Sequence, residues 1–379
     1  MHTSPPHTRR SRACAVPLLI AAALLAAGWG TVAHLFINTH AVDDLPASMG
    51  QFISSKTYFG SHASDADYRK GSDPNESPKH FIDIESYPAY QNLTPRIDSL
   101  LAIYGTTKAL DIGTLPWATV QTYDSLVAAL RRADFTRADS IAADLGHYVG
   151  DGHQPLHVTV NYDGQMTGND GIHSRYETTM INAYPSKLRV NILPAVYVAN
   201  RFSFVLSYLI TSNTLVDSIL LADNDAKAVS AQIGTGTYDS VYYRVLWNDT
   251  RSVTNREMQD ATQSLADLWY SSWVDAGLIT TAGAMLAGGP GGSAFALAQN
   301  YPNPFNPSTT IGYTLAQGGH VSLTVWSITG SRVATLVDAV QPAGQHRARF
   351  QPAGLSSGVY LYTLRQGALV RTGKMLYVR

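Results

Sequence analysis

The stretch 147–157, which reads His-Tyr-Val-Gly-Asp-Gly-His-Gln-Pro-Leu-His, combines an expected helix with the densest group of chemically active side chains in the chain. Apolar residues recur at helical spacing over the preceding residues 134–147, so the stretch is expected to begin inside an amphipathic helix. His147 and Asp151 are four residues apart and therefore share a face of that helix. An imidazole and a carboxylate held in this way are a common pair of metal ligands.

The end of this helix is expected to bring in a third ligand. Gly152 and Pro155 should end the helix, which would let His157 turn back toward the face that carries the first pair. A second pair, His173 and Glu177, again has a spacing of four residues. One such pair is most often a helix-surface contact, but two pairs and one more His within 31 residues favour a metal site.

Composition limits the kind of metal site that the chain can build. Its 379 residues include one Cys and twelve His, eight of them from His34 to His173. A single Cys excludes a disulfide framework and a thiolate zinc cluster, so the ligands must be His, Asp and Glu. Hydrophobic residues make up 45% and charged residues 15%, which is typical of a folded protein. The formal net charge of −1 gives no broad basic field for nucleic acids, although a local basic patch stays open.

The first 28 residues have the features of a cleaved signal peptide. Three arginines precede an apolar run over residues 13–27, and small residues stand before Trp29. The run contains Pro17 and is shorter than the about 20 residues of a membrane-spanning helix, which favours a signal peptide over an anchor. Cleavage before Trp29 would remove the only Cys and leave 24 basic and 28 acidic residues, a formal charge of −4.

Residues 29–279 are expected to form a mainly helical domain. Apolar side chains over 253–274 fall on one helical stripe, and Pro194 suits the first turn of a largely buried helix that would extend to Ile210.

A change of pattern marks the remainder of the chain. Residues 280–295 are rich in Gly and Pro and are expected to form a flexible linker. Residues 296–379 show alternation of period two, as at 321–326, and further strands are expected over 358–364 and 368–378. The fold class expected for the whole chain is therefore a mainly α domain followed by a small β-sandwich.

The spacing of the candidate ligands resembles that of the superfamily of zinc-dependent phospholipases C and P1/S1-type nucleases. The resemblance covers about 150 residues, and we expect it to extend to the helix that ends near Val274. It implies an all-helical fold that binds three zinc ions. The motifs that carry it are Trp29-Gly30, His34-Leu-Phe-Ile37, Ala66-Asp67-Tyr68, His80-Phe-Ile-Asp83, residues 147–157 and Gly171-Ile-His-Ser-Arg-Tyr-Glu177.

The resemblance also implies an allocation of nine ligand residues, all of which are present. In this allocation Asp151 bridges two of the three ions. The first zinc would be held by Asp67, His80, His147 and Asp151, the second by the amino nitrogen and carbonyl oxygen of Trp29, His34 and Asp151, and the third by His157, His173 and Glu177.

The activity implied by the resemblance is hydrolysis of a phosphodiester. A bridged pair of ions lowers the pKa of a shared water toward ~7, and a third ion stabilises charge on the phosphate. Asp151 and Asp67 are the implied catalytic residues, and Asp67 would orient the attacking water. Candidate substrate contacts, for which solvated loop charge or core packing is the competing interpretation, are Tyr68, Arg69, Lys70, Phe81 and Asp83.

Phospholipid and single-stranded nucleic acid stay open as substrates. The ending His173-Ser-Arg-Tyr-Glu177 resembles the phospholipases, whereas the short distance from Trp29 to His34 resembles the nucleases. Val32 and Ser77 stand where a choline pocket has an acidic and an aromatic residue, so the resemblance does not extend to choline specificity. A phospholipase C-like enzyme is favoured, a P1/S1-like nuclease is the alternative, and an inactive zinc-binding surface protein is a third hypothesis.

The C-terminal residues 296–379 resemble the sorting domain of type IX secretion. The resemblance rests on the Asn- and Pro-rich opening Asn300–Thr309, on residues 354–362 and on the ending Lys374–Val378. It implies that the type IX machinery exports the protein across the outer membrane, so that it is secreted or held at the cell surface. No stable protein partner is otherwise expected.

Overall fold

The computed structural model describes most of the chain outside its first 29 residues. The expected signal peptide, Trp29 and all of the expected linker except Phe295 lie outside the described residues. These are 30–87, 90, 93–278, 295–300, 303–315, 318–328, 330–342, 344–352, 354–367 and 369–378.

The described residues between Gly30 and Leu278 are mainly helical, as predicted. A π-helical segment, Arg175–Met180, joins α9 to α10. Short 3₁₀ turns occur at Ala41–Asp44, Ala47–Met49, Ser77–His80, Ile84–Ser86, Pro155–His157 and Pro185–Lys187. The helices are α1 (Thr31–His40), α2 (Gly50–Ser54), α3 (Lys56–Ser61), α4 (Asp65–Arg69), α5 (Ile97–Tyr104), α6 (Thr106–Asp111), α7 (Leu115–Arg131), α8 (Phe135–Gly152), α9 (Ile172–Ser174), α10 (Ile181–Ala183), α11 (Arg201–Asn213), α12 (Val216–Ile233) and α13 (Ser240–Asp275).

Helix α8 packs against α1, α7 and α13 and carries two of the predicted ligands. The Asp134 side chain accepts a hydrogen bond from the backbone N–H of Arg137 (3.2 Å) and so caps the start of the helix. A Cβ at Gly146 would lie 2.1 Å from Oδ1 of Asn38 on α1. Glycine at this position therefore permits a close approach of α1 to α8, which brings two ligand-bearing helices together.

The expected end of this helix is confirmed. Helix α8 ends at Gly152, and the chain turns through the 3₁₀ turn Pro155–His157. The Gln154 side chain accepts a hydrogen bond from the backbone N–H of Leu156 (2.9 Å) and stabilises the turn. As a result Nδ1 of His157 returns to 3.7 Å from Oδ1 of Asp151.

The expectation of a helix that begins at Pro194 is wrong. Residues 188–200, here called the strap, are not helical, and α11 begins at Arg201 after the capping residue Asn200. Backbone N–H groups of the strap donate to groups on other elements, which replaces the hydrogen bonds of a helix. These bonds join Leu193 N to Asp44 Oδ1 (2.8 Å), Ala195 N to Asp44 O (3.0 Å), Val196 N to Asp267 Oδ1 (2.7 Å) and Val198 N to Ser271 Oγ (2.8 Å).

The segment Arg201–Ile233 is long and apolar enough to cross a membrane by length and composition alone. In the structure it forms α11 and α12, which are separated at Thr214 and Leu215. Both helices bury apolar side chains in the helical core, for example Leu209 and Ile219. A buried core helix passes the same test, and 44% of the apolar window is buried here.

The C-terminal part forms two antiparallel sheets, one in the order β1-β2-β5 and one in the order β4-β3-β6-β7. In β3 the side chains of Val321, Leu323 and Val325 are buried, as the alternation predicts. The predicted fold class, mainly α followed by a small β-sandwich, is confirmed. The strands are β1 (Ala296–Leu297), β2 (Thr309–Leu315), β3 (Gly319–Ser327), β4 (Arg332–Gln341), β5 (Gly344–Phe350), β6 (Gly358–Gln366) and β7 (Leu369–Tyr377).

Candidate metal centre

Eight of the nine predicted ligand residues lie in one buried site, and the ninth, Trp29, lies outside the described residues. The eight come from separate elements, and each is at most 9% exposed. They are His34 on α1, Asp67 on α4, His80 on the turn Ser77–His80, His147 and Asp151 on α8, His157 on the turn Pro155–His157, His173 on α9 and Glu177 on the π-helical segment.

The Asp151 carboxylate presents its two oxygens to different imidazoles. Oδ2 lies 2.9 Å from Nδ1 of His80 and 3.3 Å from Nε2 of His147. Oδ1 lies 3.4 Å from Nε2 of His34. Oδ1 of Asp67 lies 3.4 Å from Nε2 of His147, opposite Asp151. One carboxylate with ligands on both sides is the arrangement that a bridge between two cations requires.

A separate group forms around Glu177. Its Oε2 atom lies 3.3 Å from Nε2 of His157 and 3.3 Å from Nε2 of His173. The amide of Gln154 donates a hydrogen bond to the same oxygen (3.0 Å). The predicted proximity of His173 and Glu177 is thus present, on a short α-helix that continues as a π-helix.

Three of the imidazoles are oriented by backbone carbonyls. Nδ1 of His147 lies 2.8 Å from the carbonyl oxygen of Ala63, and Nδ1 of His157 lies 2.6 Å from that of His80. Nδ1 of His173 lies 3.0 Å from the carbonyl oxygen of Tyr162. A carbonyl oxygen only accepts, so Nδ1 carries the proton in each ring. The lone pair on Nε2 is left to face the site, as a metal ligand needs.

The buried polar atoms of the site fit a bound cation. Unpartnered polar atoms in a protein interior are costly and rare. Both ring nitrogens of His34, Nε2 of His173 and Oδ1 of Asp151 are buried and lack a hydrogen-bond partner. Three sets have ligand atoms that all lie within 4.8 Å of one another, namely His34 with Asp67 and His147, His80 with His147 and Asp151, and His157 with His173 and Glu177.

The charges of the site favour ionised Asp67 and Asp151, whereas burial raises the pKa of Glu177 to about 7 despite the nearby His173. Burial would raise the pKa of Asp151, but His147 and His157 hold it well below its ordinary value. Burial and the neighbouring His147 lower the pKa of His34 to about 4, so this ring is neutral near pH 7. Burial opposes a charge on His147, yet Asp151 and Asp67 raise its pKa to about 10. A cation that binds here therefore competes with a proton on His147.

A cavity of about 320 Å³ opens onto the ligands His80, His157 and His173. Its wall includes three of the five predicted substrate contacts, Lys70, Phe81 and Asp83. Burial, with a smaller contribution from Glu85, raises the pKa of Asp83 to about 6. Wall residues that the sequence did not single out as contacts are Ser77, Asp111, Leu156 and Tyr162.

The other two predicted contacts lie elsewhere. The Tyr68 side chain is 71% exposed. The Arg69 guanidinium pairs with Asp144 (3.0 Å) and Glu76 (3.3 Å) and lines a second depression. By contrast, Nζ of the adjacent Lys70 lies 2.7 Å from Oδ1 of Asp67, next to the ligands.

Among the residues near the site that the sequence did not single out, Glu76 and Tyr162 lie beside proposed ligands. Glu76 stands four residues before His80, the spacing used for the other pairs, and this signal could have found it. Tyr162 follows the turn of His157 in an irregular loop, where no spacing distinguishes it from other surface residues.

Comparisons with known proteins find relatives of limited similarity. A probable serine protease of Bradyrhizobium tropiciagri is 27% identical over 259 residues, which is 54% of this chain and 32% of the relative. The chain thus spans about a third of the length of this curated relative.

Two solved structures are similar over most of the chain at low identity. The alpha-toxin of Clostridium perfringens from an avian strain has a TM-score of 0.42 and 12% identity, and the alpha toxin of Clostridium absonum has a TM-score of 0.42 and 9% identity. The similarity covers 92% of this chain and 92% of each toxin chain.

The C-terminal residues match a known family. Residues 299–378 match the family described as the secretion system C-terminal sorting domain, which confirms the resemblance drawn from the Asn- and Pro-rich opening. This domain indicates export through type IX secretion, to the cell surface or outside the cell. The segment 299–378 is therefore similar to the secretion system C-terminal sorting domains.

Proposed function

We propose that the protein is a zinc-dependent phosphodiester hydrolase with phospholipase C-like activity. The observation that carries the proposal is the arrangement of ligands, with Asp151 between two sets of imidazoles and a separate group around Glu177. A cavity large enough for a phosphodiester headgroup opens onto the ligands His80, His157 and His173 and is bordered by Lys70. Such a site can bind a phosphate at several positions at once.

The proposed cofactors are three zinc ions held as the family resemblance implies. When bound, they would activate water and stabilise negative charge on the phosphate. The N–H of Gly30 donates a hydrogen bond to the carbonyl oxygen of Glu177 (3.4 Å), and the role of Trp29 rests on the family resemblance alone. The proposed sets are Asp67, His80, His147 and Asp151; then Trp29, His34 and Asp151; then His157, His173 and Glu177.

The side chains around the ligands have roles of their own in this proposal. Burial would raise the pKa of Asp67, but His147 lowers it far below its ordinary value, so the carboxylate is ionised at neutral pH. An ionised Asp67 can accept a hydrogen bond from a water and orient it toward phosphorus. Lys70, 2.7 Å from Asp67, would place a positive charge beside the phosphate. Phe81 and Leu156 would exclude bulk water from the cavity wall.

A P1/S1-like nuclease is the alternative activity. The Tyr162 ring is 51% exposed and lies edge-on to His173, with ring centroids 6.0 Å apart. An exposed aromatic ring beside a phosphate site can stack on a base, which supports a single-stranded substrate. A catalytically inactive zinc-binding surface protein is the second alternative.

The test is hydrolysis of bis(p-nitrophenyl) phosphate by the zinc-loaded chain beginning at Trp29. A chelator should abolish turnover, and Asp151→Asn should lower it by about 100-fold or more, because it removes charge shared by two ligand sets. Asp260→Asn, which changes an exposed carboxylate, is the matched control. Metal analysis should give three ions per chain, and two when one residue precedes Trp29. Turnover that is absent or indifferent to chelator would contradict the enzyme proposal.

The substrate class is then decided by comparing the turnover of two substrates. The same zinc-loaded chain is assayed on phosphatidylcholine vesicles and on single-stranded DNA. Faster turnover of the lipid supports the phospholipase C-like activity, whereas faster cleavage of the DNA replaces it by the nuclease alternative.

A further inference from the structure

His80 is oriented differently from three other imidazoles of the site. His147, His157 and His173 direct Nδ1 to backbone carbonyls, whereas His80 directs Nδ1 into the site. This nitrogen lies 2.9 Å from Oδ2 of Asp151 and 3.0 Å from Nε2 of His147. Nε2 of His80 therefore faces away from the proposed ions.

Glu76 lies on that outward side of His80. Its Oε1 atom is 3.5 Å from Nε2 of His80. Nε2 is buried and has no hydrogen-bond partner, and Glu76 is 1% exposed. The distance is a few tenths of an ångström longer than a normal N–H···O bond, so a small rotation of the ring would complete it.

Glu76 is held rigidly and kept as an anion. Nζ of Lys79 lies 2.7 Å from Oε2, and Nη2 of Arg69 lies 3.3 Å from Oε1. The hydroxyl of Tyr148 donates to Oε1 as well. Burial would raise the pKa of Glu76, but these partners and His80 hold it well below its ordinary value.

Glu76 belongs to none of the three proposed ligand sets, but its carboxylate lies beside the outward-facing nitrogen of His80. We propose that Glu76 is a positioning residue for the metal centre: when a cation displaces the proton that Nδ1 of His80 holds against Oδ2 of Asp151, Glu76 accepts the Nε2–H of His80 and so keeps the lone pair on Nδ1. Carboxylates behind an imidazole ligand fix its tautomer and raise its basicity, and their loss typically weakens metal binding about 10–100-fold. The inference rests on the proposed function in one respect, because it takes His80 as a ligand.

The test measures metal affinity, which is independent of turnover. The metal-free chain beginning at Trp29 is titrated with Co²⁺ and with Zn²⁺ against a competing chelator, and the visible absorption of bound Co²⁺ is recorded. Glu76→Gln should lower the affinity for one of the bound ions by about 10–100-fold and change the Co²⁺ spectrum. The thermal midpoint of the metal-free protein is measured as well, because a change confined to packing would alter this midpoint and leave the spectrum unchanged.

Asp144→Asn is the matched control, since Asp144 binds the same Arg69 (3.0 Å) and belongs to none of the ligand sets. It should leave the affinity within about 3-fold and the Co²⁺ spectrum unchanged. Equal losses in both variants, or wild-type affinity in Glu76→Gln, would overturn the proposal.

Tyr148→Phe keeps the inference testable if Glu76→Gln does not fold. It removes the hydroxyl that donates a hydrogen bond to the Glu76 carboxylate but retains the charge of that carboxylate. The affinity for the same ion should therefore fall by a few fold. Unchanged affinity would overturn the proposal. Altered affinity without phosphodiesterase turnover would instead overturn the enzyme proposal alone, and a wild-type chain that binds neither metal would overturn both.

Discussion

The pKa of a buried carboxylate in this protein depends on how far its neighbours offset burial, and for Glu177 burial raises the pKa to about 7 despite the nearby His173. Asp67 and Asp151 are surrounded by imidazoles, which lower the pKa of each despite burial. Asp44 and Asp267 accept hydrogen bonds mainly from backbone N–H groups of the strap, and burial raises the pKa to about 6 for Asp44 and about 7 for Asp267. Asp67 and Asp151 can therefore bind a cation at neutral pH, whereas ionisation of Asp44 and Asp267 carries an electrostatic cost that depends on pH.

Asp267 gives a stability prediction with a definite sign. Because burial raises its folded-state pKa above the ordinary value of 3.8, the folded state binds the proton more tightly than the unfolded chain does. This contribution to stability is complete below the unfolded pKa and is lost as the pH rises through about 7. Asp267→Asn keeps the shape and removes the charge, so its free energy of unfolding should improve relative to wild type as the pH rises.

The measurement is urea unfolding of the metal-free wild type and variant at pH 5 and pH 8. The difference between the two proteins should shift in favour of Asp267→Asn at pH 8. Asp260→Asn, on the same helix and exposed, should show no such shift. A difference that is the same at both pH values would contradict the assignment.

Two pairs of the candidate ligands were predictable because helical spacing encodes their geometry, whereas the ligand roles of residues 29, 34, 67 and 80 followed only from the family resemblance. His147 with Asp151, and His173 with Glu177, are close whatever surrounds the helix. Helical spacing does not encode the approach of these two pairs to each other. That approach depends on contacts between distant residues, such as the one between His157 and the carbonyl oxygen of His80. The separation of Arg69 from the cavity depends likewise on Asp144, 75 residues away.

At the scale of elements, the packing of α1 on α8 determines whether His34 reaches the site. The rings of His34 and His147 stack with centroids 3.9 Å apart. Glycines on α8 permit this, since a Cβ at Gly150 would lie 2.9 Å from Nδ1 of His34. The interface therefore couples helix packing to the geometry of the ligands.

Gly146→Ala tests this coupling. The added methyl would meet the Asn38 amide, so the free energy of unfolding should fall by about 1–3 kcal/mol, and zinc affinity should fall with it. Gly50→Ala on α2 is the control, because no atom lies within 4 Å of the added Cβ. Its stability should be unchanged or raised by up to about 1 kcal/mol. Chemical denaturation and zinc titration of both variants check the prediction. Equal changes in the free energy of unfolding and in zinc affinity in the two variants would contradict it.

The strap shows why one element could not be predicted. Local sequence favours a helix from Pro194, because Pro suits a first turn and the next residues are apolar. The competing acceptors, Asp44 and Asp267, stand far away in the sequence and are brought to the strap only by folding. The signal that local reasoning missed was Asn200, whose side chain accepts from the backbone N–H of Ser203 (3.1 Å) and begins α11.

At the scale of the whole molecule, the described hydrophobic side chains form separate cores. The two clusters of the helical part draw on residues between Val32 and Ala276. The cluster of the two sheets draws on residues between Phe295 and Tyr377. Burial of apolar area is the main stabilising contribution to a fold, so each part has its own source of stability.

This separation predicts the effect of ending the chain at Ile279. The chain 29–279 retains every described member of the helical cores and all eight described ligands. Its thermal midpoint and zinc content should equal those of the helical part in the full chain, and its turnover per bound zinc should be unchanged. In a host with type IX secretion, the chain 1–279, which keeps the expected signal peptide, should not be exported across the outer membrane, because the matched sorting domain is absent. Calorimetry, metal analysis and fractionation of the medium measure these quantities, and a lower midpoint for 29–279 would mean that the β-sandwich stabilises the helical part directly.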